Sequence, residues 1–232
     1  MTKYLITPTL LNSYDYYIQD EFKSPANSRA DFLKTLSRGK FEPNQAMQKG
    51  IDFENDVLDA CNNKLEADYS KIEPRFVKSV IDSEAMSTKE ISNWIIMREY
   101  IDCVENVAKI VNRGLWQESV KKDLQIGNQE FLLYGKTDVI KRDTVYDIKY
   151  TSNYELGKFL NSAQHLIYLY CTGLPKFKYL ISNGKDFWQE DYFNNGNIEN
   201  EIKIKINDFL SYLENDSEAK NLFETKWQAK YD

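Results

Sequence analysis

The sequence predicts an α/β fold in which a central mixed β-sheet is flanked by helices, with further helices at both ends of the chain. Segments with apolar residues three or four positions apart, typical of amphipathic helices, occupy both ends. Short β-branched and aromatic segments, typical of strands, are concentrated between residues 116 and 193. Hydrophobic residues make up 42% of the 232 residues and charged residues 28%, which is the composition of a globular protein with a sizeable core.

The chain is expected to form one domain over residues 1–232, because no repeat, low-complexity segment or linker divides it. We expect a core over about residues 43–193, with helical extensions over residues 1–42 and 197–232.

Four helices are predicted before the strands. Thr7-Pro8 is a favourable start for a helix to about Gln19. A second helix is expected over residues 28–38, before Gly39. The capping box at residues 87–90 predicts a long helix to about Asn112, in which Trp94 or Ile95 points inward with several later apolar residues.

The third helix, opened by Pro43, carries the first chemically unusual residue. Its inward stripe is predicted to comprise Met47, Ile51, Glu54, Val57, Leu58 and Cys61. Glu54 stands on or beside this apolar stripe. It is either a boundary glutamate whose carboxylate reaches solvent or part of a functional site.

The strands and later helices follow from pattern and turn signals. Asn183-Gly184 is a strong hairpin signal, and Gly173 should close the helix before it. The predicted strands are Trp116–Ile126, Phe131–Ile140, Val145–Tyr150, Phe177–Ile181 and Phe187–Phe193. The predicted helices are Tyr154–Tyr170, Ile198–Leu213 and Ala219–Ala229.

Two acidic residues are predicted to face each other on one sheet face. If Arg142-Asp143 is a two-residue hairpin loop, opposed residue numbers add to 285, and Asp138 lies across from Asp147. Lys149 lies two residues beyond Asp147 and therefore shares its face. Paired carboxylates repel each other, and a divalent cation makes such a pair favourable.

Charge is unevenly distributed along the chain. The net charge is −6, but residues 109–185 contain twelve Lys/Arg and seven Asp/Glu. A local basic excess attracts a polyanion more effectively than the total charge suggests. The alternative is a solvated surface that is basic in this region.

Membrane and secretory classes are not supported. There is no run of about 18 apolar residues, and the N-terminus lacks the pattern of a secretory signal. The three cysteines are widely spaced, which favours a reducing, cytoplasmic setting and gives no support for an iron–sulfur cluster.

Four motifs together resemble the PD-(D/E)XK nucleases. Gly135-x-x-Asp138, followed by Asp147-Ile148-Lys149, resembles the core motif, although Thr137 replaces the usual proline. Gln164-x-x-x-Tyr168 and Gly50-x-x-x-Glu54 are similar to helix motifs of the RecB-type and lambda-exonuclease-like branch. The segment at residues 6–17 is weakly similar to the opening helix of RecB-type domains. The absence of a cysteine cluster favours the lambda-exonuclease-like side.

The resemblance implies a restriction-endonuclease-like core and a Mg²⁺- or Mn²⁺-dependent nuclease that hydrolyses phosphodiester bonds. Hard oxygen ligands suit these metals. The expected ligands are Glu54, Asp138, Asp147 and the carbonyl of Ile148, with Lys149 orienting or deprotonating water.

The remaining roles concern the helix after the core motif. Gln164 is expected to hold the lysine or the metal-side geometry, and Lys136 is a candidate substrate contact. Tyr168 is expected either to position phosphate or to pack beneath the site as a core residue. His165 points away from Gln164, and a surface or packing role is favoured over contact with DNA.

The function expected is that of an exonuclease acting on ends of duplex DNA in recombination, repair or phage replication. The expected partners are DNA, a recombination protein and further copies of this chain. Two alternatives are a catalytically inactive nuclease-fold binding or inhibitor protein and a restriction-type endonuclease.

Overall fold

The computed structural model describes residues 2–19, 25–40, 42–77 and 88–229, and it has an α/β architecture with two mixed sheets. The described helices are Pro8–Gln19 (α1), Pro25–Leu36 (α2), Gln45–Asn62 (α3), Tyr69–Val77 (α4), Thr88–Val111 (α5), Ala163–Thr172 (α6), Ile198–Asn215 (α7) and Ser217–Lys226 (α8). The described strands are Tyr4–Ile6 (β1), Leu115–Trp116 (β2), Ser119–Ile126 (β3), Gln129–Lys136 (β4), Val139–Lys141 (β5), Thr144–Tyr150 (β6), Lys176–Ser182 (β7) and Phe187–Phe193 (β8). The predicted class, helices around mixed β-structure, is confirmed.

The strands divide into two sheets rather than one. The first has the order β1-β4-β3, with β1 parallel and β3 antiparallel to β4. The second has the order β2-β5-β6-β7-β8, in which only β6 and β7 are parallel. Helix α6 connects these two parallel strands.

The single strands predicted over Trp116–Ile126 and Phe131–Ile140 are wrong, because both break where the chain passes from one sheet to the other. The breaks pair with each other: Gln117 N donates to the carbonyl of Asp138 at 2.9 Å, and Thr137 N donates to that of Glu118 at 2.9 Å. Gln117 also adopts a left-handed φ of 57°. Asp138 therefore lies at a bend between the sheets.

The tight hairpin between β5 and β6 has the predicted register. Lys141 pairs with Thr144, Ile140 with Val145 and Val139 with Tyr146. Arg142 has a φ of 56°, which the two-residue turn requires. This register brings Asp138 to the level of Asp147.

Two buried apolar clusters enclose the strands. The larger one joins the terminal helices to the sheets: it contains Ile6 and Leu10 from the N-terminal region, Phe131 from β4, and Ile206 and Phe209 from α7. The smaller one packs α3, α4 and α5 against the other face of the second sheet through residues such as Phe53, Val57 and Ile148. The helices at both ends therefore complete the main core.

The inward residues of α3 differ from the prediction. Asn44 caps this helix by accepting a hydrogen bond from Met47 N at 2.9 Å, so the helix does not begin at Pro43. Met47 and Ile51 are 52% and 44% exposed, whereas Phe53, Asp56, Val57 and Ala60 are buried. The first half of the predicted stripe faces a cleft instead of the core.

Helix α6 starts at Ala163, nine residues after the predicted start at Tyr154. Ser162 caps it, and Gly157 in the preceding segment has a φ of 83° that interrupts helical geometry. Gly173 ends the helix in the left-handed conformation, as predicted.

Other helix and strand boundaries lie closer to the predicted ones. The bounds of α1 and the hairpin across Asn183-Gly184 are confirmed, and α2 starts three residues early. In α5, Trp94 and Ile95 are exposed, and Met97 and Tyr100 are buried in their place. Strand β1 and helix α4 were not predicted, and the capping residue Ser87 lies outside the described residues.

Within the described ranges, no helix has the length and apolar character needed to cross a membrane.

Candidate active site

A cleft of about 920 Å³ opens at the end of β6, between α3 and the segment that precedes α6. One part of its lining is charged and comes from Glu54, Lys149 and Lys158. Another part is apolar and includes the exposed side chains of Met47 and Ile51. The full lining is Pro43, Ala46, Met47, Gly50, Ile51, Glu54, Ile148, Lys149, Tyr150, Thr151, Lys158 and Phe159.

The two central carboxylates are held by different means. Asp138 lies at the bend between the sheets, where its Oδ2 accepts a hydrogen bond from Ile148 N at 2.7 Å. Asp147 is fully buried in β6, and its Oδ1 accepts a hydrogen bond from the side-chain amide of Gln164. The bond to Ile148 fixes Asp138 beside the strand that carries Asp147.

Lys149 reaches back along β6 to Asp147. Its Nζ lies 2.5 Å from Asp147 Oδ2, and its side chain is 31% exposed. Apart from this ion pair, that buried oxygen has no hydrogen-bond partner within the part of the chain that the structure describes. The lysine thus lies between the carboxylates and the open cleft.

Glu54 approaches from α3, on the other side of the second sheet. Its Oε1 accepts a hydrogen bond from Gln117 Nε2 at 2.5 Å. Because Gln117 N is bonded to the carbonyl of Asp138, one residue connects Glu54 to the bend. Gln117 was missed because a polar residue within a strand-like segment carries no distinctive signal.

Gln164 occupies the first turn of α6. Two side chains accept hydrogen bonds from the backbone at the start of this helix. Ser162 accepts a hydrogen bond from Gln164 N, and Asn12 of α1 accepts one from Ala163 N at 2.7 Å. These contacts place the Gln164 amide against Asp147. Ser162 is a standard N-cap residue, so this start was readable from the sequence, whereas the role of Asn12 was not.

Tyr168 lies one helical turn further and packs beneath the site. It is 4% exposed, and its hydroxyl donates to the carbonyl of Lys136 at 2.7 Å. A Cβ at Gly135 would come within 2.2 Å of the tyrosine ring, so the glycine of the core motif makes room for it. Of the two roles considered for Tyr168, packing describes its position. The side chain of Lys136 is exposed.

The two remaining candidates lie on the core side. The side chain of Ile148 is buried in the smaller apolar cluster, so only its backbone faces the site. His165 is 5% exposed and stacks on Tyr192 with ring centroids 4.1 Å apart. Burial, and next the charge of Lys205, lower the pKa of His165 to about 4. Its position is that of a packing residue.

The electrostatics of the cluster are unfavourable for three ionised acids. Burial, and then the charge of Asp147, raise the pKa of the Asp138 carboxyl well above its ordinary value and raise that of Glu54 as well. Burial also raises the pKa of Asp147, although Lys149 and Gln164 oppose this. Burial alone lowers the pKa of Lys149, but Asp147, Asp138 and Glu54 raise it above normal. Added positive charge therefore stabilises the ionised site.

A hard divalent cation fits this donor set. Asp147 Oδ2 is buried, and the ammonium of Lys149 is its one partner among the described residues. In the described parts of the chain, no three His, Cys, Asp or Glu side chains are already grouped closely enough to hold a metal. Mg²⁺ does not need such a cage, because it is usually bound by one or two carboxylates and keeps several waters. Asp138 and Asp147 supply that number, and Glu54 adds a third nearby.

Comparisons with known proteins add little to this description. No family model matches the chain, and no curated protein matches its sequence. The crystal structure of SSO0001 shares 14% identity, with a TM-score of 0.37 over 67% of this chain and 84% of that chain. LHK-Exo, crystallised in complex with dAMP, shares 12% identity, with a TM-score of 0.45 over 94% of this chain and 90% of that chain. Likenesses of this degree carry no argument about activity.

Proposed function

We propose that the protein is a metal-dependent nuclease that hydrolyses phosphodiester bonds in DNA. The observation that carries the proposal is the buried carboxylate of Asp147, whose Oδ2 is paired with Lys149 Nζ at 2.5 Å and whose charge acts on two further carboxyl groups. Asp138 and Glu54 repel the charge of the same carboxylate. An arrangement that destabilises the protein without a cation suits a site that binds one.

Each side chain of the cluster has a distinct task in such a reaction. When bound, Mg²⁺ or Mn²⁺ supplies positive charge that polarises the phosphate and lowers the pKa of water. Asp138 and Asp147 hold that charge, and Gln164 keeps the Asp147 carboxylate in one orientation. Lys149 carries a proton and lies at the open side, where it can orient the attacking water and offset charge on the phosphate oxygens.

A polyanionic substrate is consistent with the distribution of charge. Residues 109–185, which carry most of the site, contain twelve basic and seven acidic residues in a chain of net charge −6. Two of those acids are Asp138 and Asp147 themselves. We propose duplex DNA with a free end as the substrate, so that the enzyme acts as an exonuclease.

The proposal is tested by incubating the purified protein with linear and circular DNA in Mg²⁺, in Mn²⁺ and in EDTA. We expect progressive shortening of linear DNA with either metal and none in EDTA. Asp147→Asn should be at least about 100-fold slower, because it removes the central charge. A single defined cut in circular DNA would instead identify a restriction-type endonuclease.

A second candidate is a binding protein that keeps the fold but has lost the metal. The contact between Lys149 and Asp147 favours it, because the lysine already compensates the carboxylate that a metal would need. Calorimetric titration with Mn²⁺ separates the two candidates. A nuclease should show a binding event that Asp138→Ala abolishes, and the inactive protein should show none.

A further inference from the structure

The segment between β6 and α6 is an irregular but firmly anchored wall of the cleft. Glu190 of β8 is buried and accepts hydrogen bonds from Tyr154 Oη at 2.7 Å and from Gly157 N at 3.0 Å. Phe159 stacks on Tyr179, with ring centroids 4.7 Å apart and planes at 29°. These contacts fix residues 154–159 against the second sheet without regular secondary structure.

Lys158 projects from this wall into the cleft that contains Glu54 and Lys149. Its Nζ donates to the hydroxyl of Thr151 at 2.8 Å and to the carbonyl of Asn153 at 2.5 Å. Both acceptors are neutral. Among the described residues, no carboxylate forms an ion pair with Lys158, which distinguishes it from Lys149.

We infer that Lys158 binds a phosphate of the DNA strand other than the one being hydrolysed. The inference rests on the proposed function for the class of ligand. A positioned ammonium without a counter-charge binds a phosphate through a charge-assisted hydrogen bond. Since the neutral acceptors and the anchored backbone already restrict the side chain, little further ordering is needed on binding.

The opposite wall of the cleft is consistent with a phosphate bound at Lys158. It is formed by α3, where Met47 and Ile51 are 52% and 44% exposed toward the cleft. Phosphates gain nothing from such an apolar surface. On this inference the sugar–phosphate backbone lies on the side of Lys158 and Lys149, away from Met47 and Ile51 of α3.

The test compares Lys158→Ala, Lys158→Arg and the control Lys226→Ala, which removes an exposed lysine from α8. Binding of a fluorescein-labelled linear duplex is measured in EDTA over a series of salt concentrations. Hydrolysis of that duplex and of bis(p-nitrophenyl) phosphate is then measured in Mn²⁺. The small diester contains only the phosphate that is cleaved.

For Lys158→Ala we expect about a three- to tenfold rise in Kd for DNA and a salt slope shallower by about 0.9. KM for DNA should rise with little change in kcat, and cleavage of the small diester should stay at the wild-type rate. Lys158→Arg should bind DNA nearly as well as wild type.

Four outcomes decide the matter. If Lys158→Ala matches Lys226→Ala in Kd and salt slope, or the wild type binds no DNA, the inference is overturned. It is also overturned if the alanine variant loses cleavage of the small diester, because the lysine then acts in the reaction or in folding. If the binding pattern is as expected but the wild type hydrolyses neither substrate, the proposed function fails and the inference stands.

Discussion

At the scale of single residues, the sequence predicts that Asp138 lies opposite Asp147, but it does not predict the hydrogen bonds that surround the two carboxylates. The register that places Asp138 across from Asp147 follows from the two-residue turn, and it is present in the structure. The contacts of Glu54 with Gln117 and of Gln164 with Asp147 join residues 63 and 17 positions apart. Such contacts depend on the packing of α3 and α6, and a local pattern does not contain them.

The raised pKa of Asp138 has a consequence for stability. In the metal-free protein, this carboxyl stays protonated in the folded state at pH values where the unfolded chain has released the proton. Its contribution to stability is therefore complete below about pH 4 and is lost as pH rises through the folded pKa.

Asp138→Asn should accordingly be more stable than wild type at pH 7 in EDTA, and the difference should vanish near pH 3.5. We expect a gain beyond the roughly 0.5 kcal/mol typical of surface substitutions. Urea unfolding at both pH values measures it. Asp143→Asn, at the exposed hairpin turn, is the control and should bring no gain, because the pKa of Asp143 is lowered by its bond to Thr144. A wild type that is more stable than Asp138→Asn at pH 7 contradicts this account.

At the scale of elements, the sequence predicted whether a segment is helix, strand or turn more successfully than it predicted where a strand breaks or a helix begins. The segment at residues 131–140 has a continuous strand pattern, yet the chain breaks at Thr137 and passes to the second sheet. Nothing within the segment marks that change, since the pairing with Gln117 and Glu118 creates it. The late start of α6 also depends on distant Glu190 and Asn12, although its cap, Ser162, is recognisable in the sequence.

The close packing of β4 against α6 makes Gly135 a sensitive position. Gly135→Ala places a methyl group 2.2 Å from the Tyr168 ring and should cost about 1–3 kcal/mol of stability. Gly50→Ala is the matched control, because a Cβ there meets nothing within 4 Å and improves helix propensity. Thermal unfolding of the two variants should show a lower Tm for the first only.

A double mutant identifies the cause of that loss. In a Tyr168→Ala background, Gly135→Ala should cost clearly less than in the wild type, because the clash has gone. Equal costs in the two backgrounds would show that the ring is not what the glycine accommodates.

At the scale of the whole molecule, the helices at both ends complete the main core. Ile6, Leu10, Ile206 and Phe209 are completely buried in the same cluster as Phe131 of β4. The sequence indicated these helices, but their joint packing on one sheet face is a property of the tertiary fold.

A fragment of residues 43–193 should therefore fail to fold, because the larger cluster would be open to water on one side. The full chain should unfold in one cooperative transition, consistent with the single domain that we propose. Circular dichroism during urea titration measures both. A fragment with a cooperative transition of its own would show that the ends are separate additions.

The central claim is that Asp138, Asp147 and Lys149 form the site of a metal-dependent nuclease. The most direct measurement is the degradation rate of an end-labelled duplex in Mg²⁺, in Mn²⁺ and in EDTA, for wild type, Lys149→Ala and Lys226→Ala. The account predicts degradation that requires the metal, is at least about 100-fold slower in Lys149→Ala and is unchanged in Lys226→Ala. No degradation with either metal, or an undiminished rate in Lys149→Ala, would contradict it.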